Sequence, residues 1–235
     1  MSAGRYRKPA MSEEPTHAAL MDRVYRYQRY IYDLTRKFFL FGRDRLIREL
    51  DLKPGETVVE VGCGTARNLI RMARRYPKAR FYGLDASQEM LKTAAGKIAR
   101  AGLSDRISLL HGYAENLSPA PFGLAAPFDR VIFSYSLSMI PDWKQALSAA
   151  QAALAPAGRL HVVDFADLTG LGRVGTKLLR GWLNLFHVQP RIEIVKRLET
   201  AFGANTRAHD YLRILPARYA FILHCCAGEV PAFGD

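Results

Sequence analysis

Cysteine is scarce in this sequence, with three in 235 residues: Cys63 inside a glycine-bearing loop, and the adjacent Cys225 and Cys226 near the end. That is neither a zinc spacing nor a disulfide framework, so reduced thiols are expected. The six histidines, at 17, 111, 161, 187, 209 and 224, lack metal-ligand spacing, and no metal is expected. No uncharged apolar run reaches the ~18 residues that a membrane span requires. The opening MSAGRYRKPAMSEEP lacks the apolar stretch of a secretory signal, which predicts a cytoplasmic location. No internal repeat and no second globular domain can be read.

Acidic residues are also in short supply, 22 against 34 Lys and Arg, for a formal charge of +12. The excess predicts attraction to something anionic, either nucleic acid or the acidic face of a membrane. The cations gather in two blocks, Arg67 to Arg80 and Arg173 to Arg197, and a solvated basic surface explains either block equally well. Hydrophobic residues make up 49% of the chain, enough for one α/β domain with decorating segments.

Residues 1–15 are rich in proline, serine and charge and read as a disordered tail. Thr16 can cap a helix over about 17–33, and a shorter helical run from about Phe38 to Leu50 ends at Pro54 and Gly55, giving an N-terminal helical lid over 16–53. From residue 54 to 235, apolar runs alternate with helical periodicity. TVVEVG, ARFYGLD, RISLLHG, FDRVIFSYS and GRLHVVDF read as strands; RNLIRMARRYP, SQEMLKTAAGKIARAG and WKQALSAAQAAL read as helices, the last capped by Asp142. This predicts a Rossmann-like, doubly wound α/β sheet. A further helix over 191–202 precedes TRAHDYLRIL and ARYAFILHCC, which are joined by a turn short enough to force antiparallel pairing. The sheet is therefore mostly parallel with an antiparallel C-terminal strand.

In such a sheet the ligand lies beyond the C-terminal strand ends. The first strand ends in Glu60-Val61-Gly62-Cys63-Gly64-Thr65, where the glycines allow a sharp turn and a close backbone approach. Asp85, about twenty residues on, can accept both hydroxyls of a ribose. Arg67, where a dinucleotide fingerprint wants Gly or Ala, argues against a nicotinamide cofactor, and the acid Glu60 suits an ammonium group rather than a pyrophosphate. Cys63 reads as a small loop residue rather than a nucleophile.

VVEVGCGTARNL, FYGLDAS, HGYAENL and FDRVIFSYSLSMIPDW, over roughly residues 55–165, resemble the ordered motifs of class I S-adenosylmethionine-dependent methyltransferases. The resemblance implies that Glu60, Gly62, Cys63, Gly64 and Thr65 hold the methionine part and that Asp85 holds the ribose. It further implies that Ala86 and Met90 flank the adenine, that the turn with Tyr113, Ala114 and Glu115 covers its edge, and that Ser134 and Tyr135 face the methyl group. Many relatives carry Asp where this chain has Tyr113, which leaves the adenine amino group to Glu115 or a backbone carbonyl.

Two decorations bear on the acceptor. Over about 168–189, Leu171, Val174, Leu178, Trp182 and Leu185 recur at helical spacing, with Arg173, Lys177, Arg180 and Asn184 on another face. Such a helix suits an anionic membrane surface, with Arg173, Lys177, Trp182 and Leu185 as the contacts, or packing on its own domain. In the opening segment, tyrosines can stabilise a charged amine by about 0.5 to 2 kcal/mol each, and arginines can bind a carboxylate or phosphate. HAALMDRVYRYQRYIYDLTRKFFLFGRDRLI, with LFHVQPR later, resembles the diacylglyceryl-homoserine N-methyltransferases of bacterial betaine lipid synthesis. That resemblance implies a membrane lipid substrate, methylated successively on its homoserine amine by an enzyme peripheral on the inner face of the cytoplasmic membrane. Tyr32 and Tyr135 are the candidates for flanking the reacting nitrogen, joined by Tyr25, and Arg36 and Arg43 for holding the headgroup. The alternatives are a phosphatidylethanolamine or quinone-precursor methyltransferase and, from another class, a basic RNA-binding module.

Overall fold

A computed structural model describes residues 40–184, Val188, Pro190, 192–202 and 211–229. The expected tail and first helix, with Tyr25, Tyr32, Arg36 and Leu185, lie outside the described residues. The elements follow in the order α1 (Arg43–Glu49), β1 (Thr57–Val61), α2 (Arg67–Arg75), β2 (Arg80–Asp85), α3 (Gln88–Arg100), β3 (Ile107–His111), β4 (Phe128–Ser134), α4 (Trp143–Ala153) and β5 (Leu154–Phe165). Then come α5 (Gly172–Asn184), α6 (Ile192–Phe202), β6 (Tyr211–Ile214) and β7 (Ala220–Cys226).

The seven strands form one sheet in the order β3-β2-β1-β4-β5-β7-β6. The first five are mutually parallel, β7 runs antiparallel to β5, and β6 runs antiparallel to β7. This is the mostly parallel, doubly wound α/β sheet expected, closed by the expected hairpin. Strand periodicity sorts its side chains to two faces. Val59 and Val61 of β1, Leu160 and Val162 of β5, and Phe221 and Leu223 of β7 pack under Ala146 and Leu147 of α4 and Ile194 and Leu198 of α6. On the other face Val58, Phe81, Val163 and Ile222 pack under Leu46 and Ile47 of α1, Leu69 and Met72 of α2, and Ala94 and Ile98 of α3. Each such aliphatic or aromatic side chain contributes roughly 1.5–3 kcal/mol on full burial.

Local capping matches the sequence where the signal is local. Ser87 accepts the Met90 N–H at the start of α3, and Asp142 accepts the Gln145 N–H at the start of α4. For the run expected from about Phe38, whose first two residues lie outside the described residues, the helix among the described residues is α1 from Arg43, entered through Gly42 with φ 90°. A Cβ on Gly42 would lie 3.0 Å from Leu215 Cδ1 and 3.1 Å from Val163 Cγ2, so the chain reaches the sheet through a turn that helical φ cannot provide. α5 is a continuous helix despite its glycines at 172, 175 and 181. No helix among the described residues is long and apolar enough to cross a membrane.

Candidate cofactor and acceptor site

The loop after β1 is built by backbone conformation. Gly62 and Gly64 have φ of 73° and 53°, and Ala66, at 61°, leads into α2. The Gly62 and Cys63 N–H groups both donate to the Leu84 carbonyl, at 2.8 and 3.1 Å, folding the loop across the end of β2. A Cβ on Gly62 would fall 2.5 Å from Ser136 Cβ, so only glycine permits this closeness to the segment after β4. Cys63 is buried, and its Sγ would stand 2.8 Å from a Cβ on Gly83, so it packs the loop onto β2 as a small residue should.

Asp85, at the end of β2, accepts the Gly64 N–H at 2.7 Å and the Ser87 N–H at 2.9 Å. It thus joins the glycine loop to the cap of α3. Thr65 is buried and accepts a 2.9 Å hydrogen bond from Lys97 Nζ of α3.

Beneath the loop Glu60 is buried, and its Oε1 accepts from Asn68 Nδ2 at 2.7 Å. The same amide donates to Ser134 Oγ at 3.1 Å, so Asn68 bridges the ends of β1 and β4. The neighbouring Arg67 reaches both Asn68 Oδ1 and Asp44 of α1, at 3.2 Å each. Burial would raise the Asp44 carboxyl, but Arg67, Arg71 and Arg43 together hold it below the ordinary carboxylate range. Asn68 was not singled out from the sequence; the only signal was an amide in the first turn of the helix that opens from the loop.

Of the residues expected about the adenine, Met90 and Ala114 are buried, Glu115 is half-buried, and Ala86 is exposed with its carbonyl 3.0 Å from His111 Nε2. Tyr113 stands 59% exposed.

The residues expected to face the methyl group lie at the end of β4, beside β5. Ser136 Oγ donates to the Val61 carbonyl at 2.8 Å. Tyr135, with φ 56°, is buried, stacks edge-on against Phe165 at 4.7 Å, and donates its hydroxyl to the Phe41 carbonyl at 2.6 Å. Burial, reinforced by Tyr219 and Asp164, pushes this phenol well above its ordinary range. Tyr135 is expected to face the methyl group and flank the reacting nitrogen; in the structure its hydroxyl is engaged by the chain entering α1. Arg43, a candidate headgroup ligand, is also buried, with its Nε donating to the Leu40 carbonyl at 3.3 Å. Asp164, which the sequence reading passed over, accepts the N–H groups of Ser138 at 3.0 Å and Phe165 at 2.7 Å. Burial raises it to about 6, against the opposing effect of those hydrogen bonds.

Glu60, the Gly62–Thr65 loop, Asp85 and Ser134 therefore converge at the β1/β4 switch point, where a doubly wound sheet binds its ligand. Arg173, Lys177 and Trp182 sit apart from them on α5. Arg173 and Lys177 are exposed, whereas Trp182, expected to contact a membrane, packs against the core. The donor set fits S-adenosylmethionine. A buried carboxylate under the loop and a second at the end of β2 suit a ligand cationic at its amine and sulfonium and carrying vicinal hydroxyls.

Comparison with known proteins agrees with this geometry. Residues 58–158 match the family model described as a methyltransferase domain. The chain is 32% identical over 198 residues to the ubiquinone/menaquinone biosynthesis C-methyltransferase UbiE of Syntrophotalea carbinolica, covering 81% of this chain and 77% of that protein. It is 31% identical over 153 residues to a demethylmenaquinone methyltransferase of Listeria monocytogenes, covering 65% of this chain and 62% of that protein, so it spans less than two thirds of that relative. Among solved structures, a SAM dependent methyltransferase from Aquifex aeolicus superposes with a TM-score of 0.55 at 18% identity, over 91% of this chain and 98% of that one. The apo form of the S-adenosylmethionine-dependent methyltransferase SibL gives a TM-score of 0.59 at 22% identity, over 83% and 57% of the two chains.

Proposed function

Because the chain belongs to the class I S-adenosylmethionine-dependent methyltransferases, we propose that it methylates a membrane-borne amphiphile whose reactive head enters over the ends of β4 and β5. The observation that carries the acceptor class is the likeness to a ubiquinone/menaquinone biosynthesis C-methyltransferase, which extends along 81% of this chain, well beyond the cofactor half. On that reading the acceptor is a quinone precursor methylated at a ring carbon.

When bound, S-adenosylmethionine supplies an electrophilic methyl group on a sulfonium. Glu60 would meet the amine and Asp85 the ribose, and the Gly62–Thr65 backbone would shape the cradle between them. Catalysis on this scaffold is mainly positioning, since aligning donor and nucleophile removes much of the entropic barrier. The wall that aligns the acceptor is rigid: Asn68 fixes Ser134, Asp164 fixes Ser138, and the Tyr135 ring seals against Phe165. The methyl group would pass to a ring carbon of the acceptor with S-adenosylhomocysteine as the leaving group, and the ring proton would leave to solvent or to the acceptor's own oxygen. Asp164, buried beneath this wall, accepts a hydrogen bond at each oxygen and so holds the Ser138 and Phe165 N–H groups.

A second reading, transfer to the homoserine amine of diacylglyceryl-homoserine, is favoured by the motif HAALMDRVYRYQRYIYDLTRKFFLFGRDRLI, which resembles the betaine-lipid enzymes. It asks less of the site, since a neutral amine is already nucleophilic. One assay separates the readings: purified protein with methyl-labelled S-adenosylmethionine and, in parallel, demethylmenaquinone, diacylglyceryl-homoserine or phosphatidylethanolamine in mixed micelles. Label in the quinone supports the first reading and label in the homoserine lipid the second. Label in phosphatidylethanolamine alone overturns both.

A further inference from the structure

Among the described residues, four large apolar side chains stand exposed: Phe41 and Tyr113 at 59%, Val174 at 74% and Leu178 at 70%. All four lie beyond the same edge of the sheet, the C-terminal ends of the parallel strands where the cofactor site opens. Tyr113 follows the end of β3. The Phe41 carbonyl holds the Tyr135 hydroxyl just past β4, and its ring meets Tyr219 edge-on at 5.5 Å just before β7. Val174 and Leu178 belong to α5, which leaves the end of β5.

The placement of α5 is determined by its inward contacts. Thr176 Oγ1 donates to the Leu168 carbonyl at 2.7 Å, and Arg180 donates to the Asp167 carbonyl at 3.2 Å. Leu183 is buried, and Leu179 and Trp182 pack against the core. The base beneath is stiff: Asp167 is gripped by Arg218, which also pairs with Glu199 of α6 at 2.9 Å, and Gly170 abuts Ala217 so closely that a Cβ would lie 2.6 Å from its backbone. With those contacts made, Arg173, Val174, Lys177 and Leu178 form one outward ridge, two cations beside two aliphatic side chains at one-turn spacing. α5 contains no acidic residue.

We propose that this ridge, together with Phe41, docks the protein on an anionic phospholipid bilayer, with the acceptor side of the site turned towards the membrane. Charge complementarity selects the occupant, because cations interleaved with short aliphatics match headgroups above and acyl chains below. Two aliphatic residues are too little apolar surface for the ~800 Å² per partner of a stable protein interface. The proposal rests on the amphiphilic-acceptor reading for its purpose: docking in this orientation lets a lipid's head rise into the site without leaving the bilayer.

The test uses the full chain and sedimentation with vesicles of phosphatidylcholine alone or mixed with phosphatidylglycerol. Binding should require phosphatidylglycerol. Replacing Val174 and Leu178 with Ser, or Arg173 and Lys177 with Gln, should weaken it at least about tenfold, at roughly fivefold per cation removed. The pair Arg74→Gln and Arg80→Gln, exposed at the opposite edge, removes the same charge and should change binding less than about threefold. S-adenosylhomocysteine affinity by calorimetry should match the parent in every variant, which confirms folding. Equal losses for the ridge and control pairs would reduce the effect to overall charge, and parent-like binding by the serine pair would overturn the docking face. Competition by RNA stronger than by anionic vesicles would assign the ridge to nucleic acid instead. Vesicle binding is read without turnover, so failure of the acceptor reading would show as ridge-dependent binding with no methyl transfer to any lipid.

Discussion

The Tyr135 hydroxyl donates a 2.6 Å hydrogen bond to the carbonyl of Phe41, joining the end of β4 to the turn that starts α1. This makes Tyr135 a positioning residue. Tyr135→Phe keeps the ring on Phe165 and should cost about 1 kcal/mol, a Tm drop of roughly 2–4 °C for a domain of this size. Affinity for S-adenosylhomocysteine, measured by calorimetry, should be unchanged. A hundredfold loss of kcat with unchanged Tm would instead place the hydroxyl at the reacting atoms.

Asp85 holds the loop, and on the proposed reading it also meets the ribose; substitutions separate the two. Asp85→Ala would remove the proposed ribose acceptor and release the Gly64 N–H, whereas Asp85→Asn retains one oxygen for the loop. Charge-assisted hydrogen bonds of this kind contribute about 1.5–3 kcal/mol. The alanine variant should therefore bind S-adenosylhomocysteine about 10- to 100-fold more weakly in calorimetry, and the asparagine variant should fall between it and the parent. Equal affinities in all three would mean that the ribose lies elsewhere.

What could be read from the sequence was what is local. The strands, the glycine loop and the cap Asp142 all declare themselves within a few residues of where they act. Asn68 and Asp164 did not, because their roles depend on partners brought close only by the sheet, Ser134 in one case and Ser138 in the other. For α5, periodicity grouped Trp182 with Val174 and Leu178 on one apolar face. It could not say which part of that face meets the core, and the structure divides it, Trp182 inward and the other two outward. The glycines inside α5, Gly175 and Gly181, each cost a helix up to about 1 kcal/mol, a penalty offset by the tertiary anchors Thr176, Arg180 and Leu183.

Gly62 tests the loop. Gly62→Ala meets both a left-handed φ of 73° and a Cβ placed 2.5 Å from Ser136 Cβ. The conformation alone costs about 1–2 kcal/mol in a non-glycine residue, and the clash adds to it. We expect a Tm lower by several degrees and at least tenfold weaker S-adenosylhomocysteine binding. Adding Ser136→Gly should recover the steric part and leave the conformational part. Full recovery would show that φ at this position is free to relax.

The acid limb of stability should follow a buried pair far from the loop. His161 and His224 face each other across β5 and β7 with Nδ1 atoms 2.6 Å apart, a spacing that needs one donor and one acceptor and so excludes two imidazolium ions. Burial, then His224, Arg130 and Arg159, push His161 well below its ordinary value. A base whose folded pKa is depressed stays neutral in the native state while the unfolded chain takes up the proton. Its contribution is therefore present above about pH 6.5 and lost as pH falls below it, by up to about 1.4 kcal/mol per pH unit for one proton. Asp164, raised to about 6, works in the opposite sense, since its native form gains a proton between the ordinary carboxylate range and that value and is stabilised as pH falls there. The difference between parent and His161→Asn isolates the histidine. Urea unfolding from pH 8 to 5 should show the parent losing stability below pH 6.5 more steeply than the variant. Parallel curves would mean that His161 is not buried as a neutral ring.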